Sequence, residues 1–135
     1  MPSKISIDSR TNALIAARAA LDKQAEHIVV MDVRALSSVT DFFVLCTAGS
    51  ARQIEAIKEH VEDVLEQHGS PVWHTEGVAT SSLGVSRAPS APQWVLMDFG
   101  DFVVHLLDQP TRAFYRLEEL WADAPRVPIN FAPRN

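Results

Sequence analysis

Residues 94–121, WVLMDFGDFVVHLLDQPTRAFYRLEELW, constrain what this chain can fold into more than any other stretch. Two segments rich in β-branched and aromatic residues, 94–99 and 102–107, meet across Gly100-Asp101, where glycine supplies the positive φ that a two-residue hairpin loop requires. The register follows from the loop. If Phe99 faces Phe102, then Met97 faces Val104 and Val95 faces Leu106, which makes one sheet face wholly apolar. The other face pairs Trp94 with Leu107, Leu96 with His105 and Asp98 with Val103, mixing polar groups among large rings. One face is therefore expected under helices and the other at least partly open. Beyond the hairpin, Asp108 to Thr111 should turn the chain, and Thr111 can cap a helix bearing Phe114, Leu117, Leu120 and Trp121.

The rest of the chain supplies the layers that such a hairpin needs. Residues 11–26 are Ala-rich, with Leu14, Ala17, Leu21 and Ala25 at helical spacing, and predict a first helix. Residues 27–33 form a continuous apolar run suited to a strand buried on both faces, and residues 42–47 form a second strand. Ser50 and Gln53 fit a capping box, in which the Gln side chain returns to the cap's own amide. The helix they open carries Ile54, Ile57, Val61, Val64 and Leu65 on one face, and Gly69 stops it. A short strand is expected at 71–77. The element order α β β α β β β α has too few strict βαβ alternations for a Rossmann domain. It predicts one α/β domain over residues 1–135, a mixed sheet of about five strands with helices packed on it. Residues 1–10 and 126–135 read as flexible tails, and the Ser-, Ala- and Pro-rich residues 78–93 as a mobile loop.

Charge and cysteine content narrow the function classes. The net charge of −5 gives no general attraction to phosphate backbones, and no helix face gathers Lys and Arg, so direct nucleic-acid specificity is not expected. A basic protein is the more natural partner. No apolar run approaches the roughly 20 residues needed to span a bilayer, so no membrane association and a cytoplasmic location are expected. Cys46, the single cysteine, sits in an apolar run and reads as a small buried residue.

Several constellations could carry chemistry. Gly49-Ser50 lies at a strand-to-helix junction, where a nucleotidyltransferase would hold triphosphate. Such an enzyme also needs two carboxylates on the next strand for Mg²⁺, and that strand offers His74 and Glu76 instead. An ordinary helix cap is the alternative. Asp98 and His105 share a hairpin face and could form an acid-base pair, but no positioned nucleophile accompanies them. The plainer reading is that Asp98 anchors the turn and His105 bonds a neighbour. The five histidines match no metal-binding spacing. No catalytic residue, metal ligand or cofactor is assigned. The concentration of Trp94, Phe99, Tyr115 and Trp121 in one quarter of the chain favours a protein-binding surface.

Residues 37–57, SSVTDFFVLCTAGSARQIEAI, followed by Glu76-Gly77, WVLMDFGDFVVHLL and RAFYRLEELW, closely resemble the ribosomal silencing factor RsfS, or Iojap, family over about residues 10–125. The resemblance implies a nucleotidyltransferase-like α/β domain without catalytic acids. It also implies binding to ribosomal protein L-fourteen of the large subunit, obstruction of small-subunit joining, repression of translation, and a homodimer when free. The family's contact positions carry over to Trp94, Phe99 and Tyr115, with Phe99 standing where relatives often have Leu or Tyr. Asp98, Asp101 and His105 match signature positions that could serve either structure or interface. Residues 78–93 make a longer link than the family usually has. Strict alternation leaves one conflict, because it puts Phe99 on the opposite face from Trp94.

Overall fold

The computed structural model describes residues 3–78 and 93–129. Helix α1 (Ser3–Asp22) leads into β1 (Glu26–Asp32) and β2 (Phe42–Ala48). Then come α2 (Ala51–Gln67), β3 (His74–Val78), the hairpin β4 (Trp94–Asp98) and β5 (Phe102–Asp108), α3 (Gln109–Tyr115), α4 (Leu117–Leu120) and β6 (Arg126–Val127). The strands form one mixed six-stranded sheet in the order β3-β4-β5-β2-β1-β6. Only the central β2–β5 pair is parallel; the other neighbours run antiparallel.

The hairpin has the register that its loop dictates. Trp94 pairs with Leu107, Leu96 with His105 and Asp98 with Val103, and the Phe99 amide donates to the Phe102 carbonyl at 3.0 Å. Gly100 takes a φ of 91°, the left-handed value that the loop needs. β5 then lies in register beside β2, Phe43 opposite Val103 and Leu45 opposite His105.

Helices α1 and α2 cover the apolar face. On α2, Ile54, Ile57, Val61 and Leu65 are fully buried, each contributing roughly 1.5–3 kcal/mol. Ser50 caps the helix by accepting from the Gln53 amide at 3.1 Å. The Gln53 carboxamide reaches one residue further back than the capping box predicts. Its oxygen accepts from the Gly49 amide at 2.6 Å, while its nitrogen donates to the carbonyls of Lys23 and Gln24 at 3.1 Å each. One side chain thus ties the start of α2 to the end of α1.

The structure corrects four expectations about elements. α1 begins at Ser3, so residues 3–10 are helical and not a loose tail. Its buried stripe consists of Ala13, Ala16, Ala17, Ala19 and Ala20, whereas Leu21 is exposed; alanines let the helix sit close to its neighbours. The terminal helix is capped by Asp108, whose Oδ1 accepts from the Thr111 amide at 3.0 Å, and it breaks at Arg116, which adopts φ 52°. Finally, Arg126 and Val127 add a sixth strand beside β1. Of the expected loop at 78–93, residues 79–92 lie outside the described residues; Val78 closes β3, and the Gln93 amide donates to Thr111 Oγ1 at 3.3 Å.

Gly77 controls how β3 meets the hairpin. Its φ is 101°, and a Cβ built there would stand 1.9 Å from the Trp94 carbonyl oxygen. No L side chain fits, so the Glu76-Gly77 pair has a steric reason.

Candidate protein-docking face

The second sheet face carries Trp94, Leu96 and Asp98 of β4, Val103, His105 and Leu107 of β5, Phe43 and Leu45 of β2, and Met31 of β1. The break at Arg116 lets the chain fold back over one part of it. Trp121 and Ala124 pack there against Met31, Val33, Leu45 and Phe43. Trp94, Leu96, Val103, Phe43 and Trp121 stay half-buried, so an aromatic and aliphatic surface faces outward.

Four rings form a continuous row across this face. Trp121 meets Phe43 edge-on at 5.0 Å between centroids, Phe43 meets His105 edge-on at 5.2 Å, and His105 lies 5.9 Å from Trp94. Trp94 Nε1 donates to His105 Nδ1 at 3.2 Å. Edge-to-face pairs contribute about 0.5–1.5 kcal/mol beyond their area, so the row is a rigid platform. His105 is 7% exposed, and burial pushes its pKa down to about 4. The ring is therefore neutral at physiological pH, and because Nδ1 accepts from Trp94, its proton resides on Nε2. Beside it lies a hole of about 60 Å³ lined by Met31, Phe43, Leu45, His105 and Trp121.

The sequence-derived site residues separate on the structure. Trp94 and His105 lie together on the open face. Asp98 shares that face, and its Oδ1 accepts from the Gly100 amide at 2.8 Å, so it anchors the turn. His105 bonds Trp94, so the plainer reading of both residues holds. Asp101 occupies the turn, where burial and the nearby Asp41 carboxylate raise its pKa. Phe99 must be corrected: it is 4% exposed, stacked on Phe102 at 4.7 Å in the helix-side core, because alternation continues through Asp98 without a bulge. It presents no surface to a partner on the Trp94 face. Tyr115 ends α3, and its side chain lies outside the described residues. Sequence reasoning missed Phe43, whose place beside His105 depends on the long-range β2–β5 pairing; Phe114, expected among the apolar residues of the last helix, is 78% exposed on α3.

The same fold-back builds a polar anchor at the far end of the face. Arg112, 6% exposed, donates through Nη1 to the His27 carbonyl and to Thr47 Oγ1, each at 2.7 Å, and through Nε to Glu118 Oε1 at 3.0 Å. That hydrogen bond holds the Glu118 carboxyl below its ordinary pKa. An open cleft of about 730 Å³ lies over Arg112, with Arg116, Glu118 and Glu119 on its walls. Its charges pair as Arg112 with Glu118 and Arg116 with Glu119, which leaves little net attraction for an anion.

At the other candidate, the Gly49 amide is already occupied by Gln53 Oε1 and the Gln53 amide by Ser50 Oγ. Two donors that would cradle a phosphate are thus satisfied internally. Cys46 is fully buried with its thiol pushed up to about 12. Among the described residues no cluster of three His, Cys, Asp or Glu could hold a metal, and no helix is long and apolar enough to cross a membrane.

Comparisons with known proteins agree on one family. Residues 6–135 match the family described as ribosomal silencing factor during starvation. The ribosomal silencing factor RsfS of Bacillus subtilis is 37% identical over 117 residues, covering 87% of this chain and 90% of the relative. The chloroplastic protein Iojap of Zea mays is 36% identical over 119 residues, covering 88% of this chain and 47% of that longer protein. Among solved structures, a crystal structure of a Chromobacterium violaceum protein superposes with a TM-score of 0.72 at 28% identity, covering 84% of this chain and 85% of that one. A Bacillus halodurans structure does so with a TM-score of 0.66 at 33% identity, covering 84% and 93%. The chain therefore belongs to the ribosomal silencing factor family.

Proposed function

We propose that this protein acts without catalysis, occupying the large ribosomal subunit so that the small subunit cannot join, and thereby lowers translation. Ribosomal protein L-fourteen is the partner, the cytoplasm the compartment, and a homodimer the resting form. The observation that carries the reading is the row Trp94–His105–Phe43–Trp121 on a sheet face that the described residues leave partly uncovered. Half-buried aromatic rings held rigid by their neighbours are the residue types that dominate binding energy at interfaces. A net charge of −5 favours encounter with a basic ribosomal protein. Family membership supports the ribosome as the target, and the internally satisfied Gly49 amide weighs against the nucleotidyltransferase alternative.

Sucrose-gradient sedimentation tests it. Added protein is expected to travel with isolated large subunits and to reduce the yield of joined ribosomes when small subunits are supplied. Trp94→Ala should weaken both effects by more than about tenfold, in line with the loss of an interface anchor. Protein that stays at the top of the gradient and leaves subunit joining unchanged refutes the reading.

A further inference from the structure

The hole of about 60 Å³ between Phe43, His105 and Trp121 has an unusual lining for an opening on a binding face. Four of its five wall residues, Met31, Phe43, Leu45 and Trp121, are apolar or aromatic, and the fifth is a histidine. A water needs only about 10–15 Å³ of such space, so the hole can take the end of one short aliphatic side chain. The histidine is committed on one side only. Nδ1 accepts from Trp94 Nε1, and among the described residues nothing accepts from Nε2. A neutral imidazole bonded in this way carries its proton on Nε2, so the one polar residue of the wall is a ring whose remaining nitrogen is a donor.

We propose that this hole is a specificity pocket of the docking face: it seats one short aliphatic side chain of the ribosomal protein partner, while His105 Nε2–H donates to a main-chain carbonyl beside that side chain. The inference rests on the ribosome-docking reading above and adds the chemistry of the contact. A protein segment is favoured over an RNA phosphate by charge, since Glu76 and Asp98 stand on the same face of a chain whose net charge is −5. It is favoured over a Lys or Arg side chain because the pocket offers a donor and no acceptor. Phe43 and Trp121 make edge contacts that fix the walls before a partner arrives, so little ordering is needed on binding.

The test compares the affinity of wild type, His105→Phe and His105→Gln for isolated large subunits, with the melting temperature of each recorded. His105→Phe keeps the ring and deletes both nitrogens, and is expected to raise Kd about tenfold, the effect of one lost hydrogen bond of about 1.4 kcal/mol. His105→Gln restores a donor and should recover most of that affinity. If His105→Gln binds as weakly as His105→Phe, the partner does not read a donor at this position and the proposal falls. Wild type that binds while His105→Phe binds as tightly overturns the proposal alone; wild type that does not bind fails the ribosome reading itself. If His105→Phe alters self-association instead of ribosome binding, the occupant is a second copy and the proposal falls. Should the variants unfold, wild type with ¹⁵N-labelled histidine decides. The Nε2 proton resonance is expected to move downfield on saturation with the isolated ribosomal protein, and an unmoved resonance rejects the contact.

Discussion

His105 shows how one buried titratable side chain ties stability to acidity. Its pKa falls from an ordinary 6.5 to about 4 because burial disfavours the imidazolium. Between those values the unfolded chain binds a proton that the folded chain refuses, so stability is complete above pH 6.5 and is lost as the pH falls towards 4. Wild type is therefore expected to lose about 2 kcal/mol more than His105→Gln between pH 7 and pH 4.5. Urea denaturation at several pH values measures the difference, and parallel curves would contradict it. Arg112 acts at lower pH through Glu118. Its hydrogen bond depresses the Glu118 pKa below 4.5, so the stability from this pair is present above that value and disappears as the pH falls through the folded-state pKa. Arg112→Met also strands the His27 carbonyl and Thr47 hydroxyl, and should cost about 2–4 kcal/mol at pH 7 while flattening the stability profile below pH 4.5. Thermal melts across that range check both effects.

At the scale of elements, the strands depend on close approach where sequence supplies it. Gly77→Ala puts a methyl group against the Trp94 carbonyl at a φ that L residues rarely adopt, and is expected to cost about 2–4 kcal/mol. Hydrogen exchange should show lost protection in β3 while α2 amides change little; uniform loss would mean that β3 is not an independent edge. The hairpin register is legible in the sequence because two residues of loop leave one pairing, and α2 is legible because a cap, an apolar stripe and a terminal glycine agree. The break at Arg116 is not. An arginine enters the left-handed region there as Trp121 packs on Phe43 and Glu118 bonds Arg112, and the first of these contacts joins residues far apart in the chain. Phe43 is hidden for the same reason, since its side is chosen by parallel pairing with a strand some sixty residues away. Alternation does place Phe99 opposite Trp94; the family resemblance, not the pattern, suggests it as a contact, and the core position of its ring decides for the pattern. Trp94 and His105 are legible as neighbours on the mixed face, but the ring row they belong to is not.

The whole molecule divides its sheet between two tasks: one face takes both long helices and most of the core, and the other keeps an aromatic row under partial cover. This division means that affinity and encounter can be altered separately. On the docking reading proposed above, the row would set the short-range contacts and hence dissociation, whereas the net charge of −5 acts over about 8–10 Å at moderate salt and would set association. Glu76 offers a clean test of the second part. It lies on β3 beside Leu96, its side chain is 66% exposed, and it pairs with His74, itself exposed, so replacing it disturbs little structure. Glu76→Lys changes the charge at the rim by two. For a basic partner it should slow association with large subunits about threefold at about 50 mM salt, and the difference should shrink towards zero near 0.5 M, where screening acts within about 4 Å. Glu76→Gln should fall between the two, and dissociation should move little in either variant. Stopped-flow binding of fluorescently labelled protein separates the rates. A defect that persists at high salt and appears in dissociation would make Glu76 a direct contact and extend the docking face to the sheet edge; faster association of the lysine variant would mean that the surface it approaches is acidic, as ribosomal RNA is.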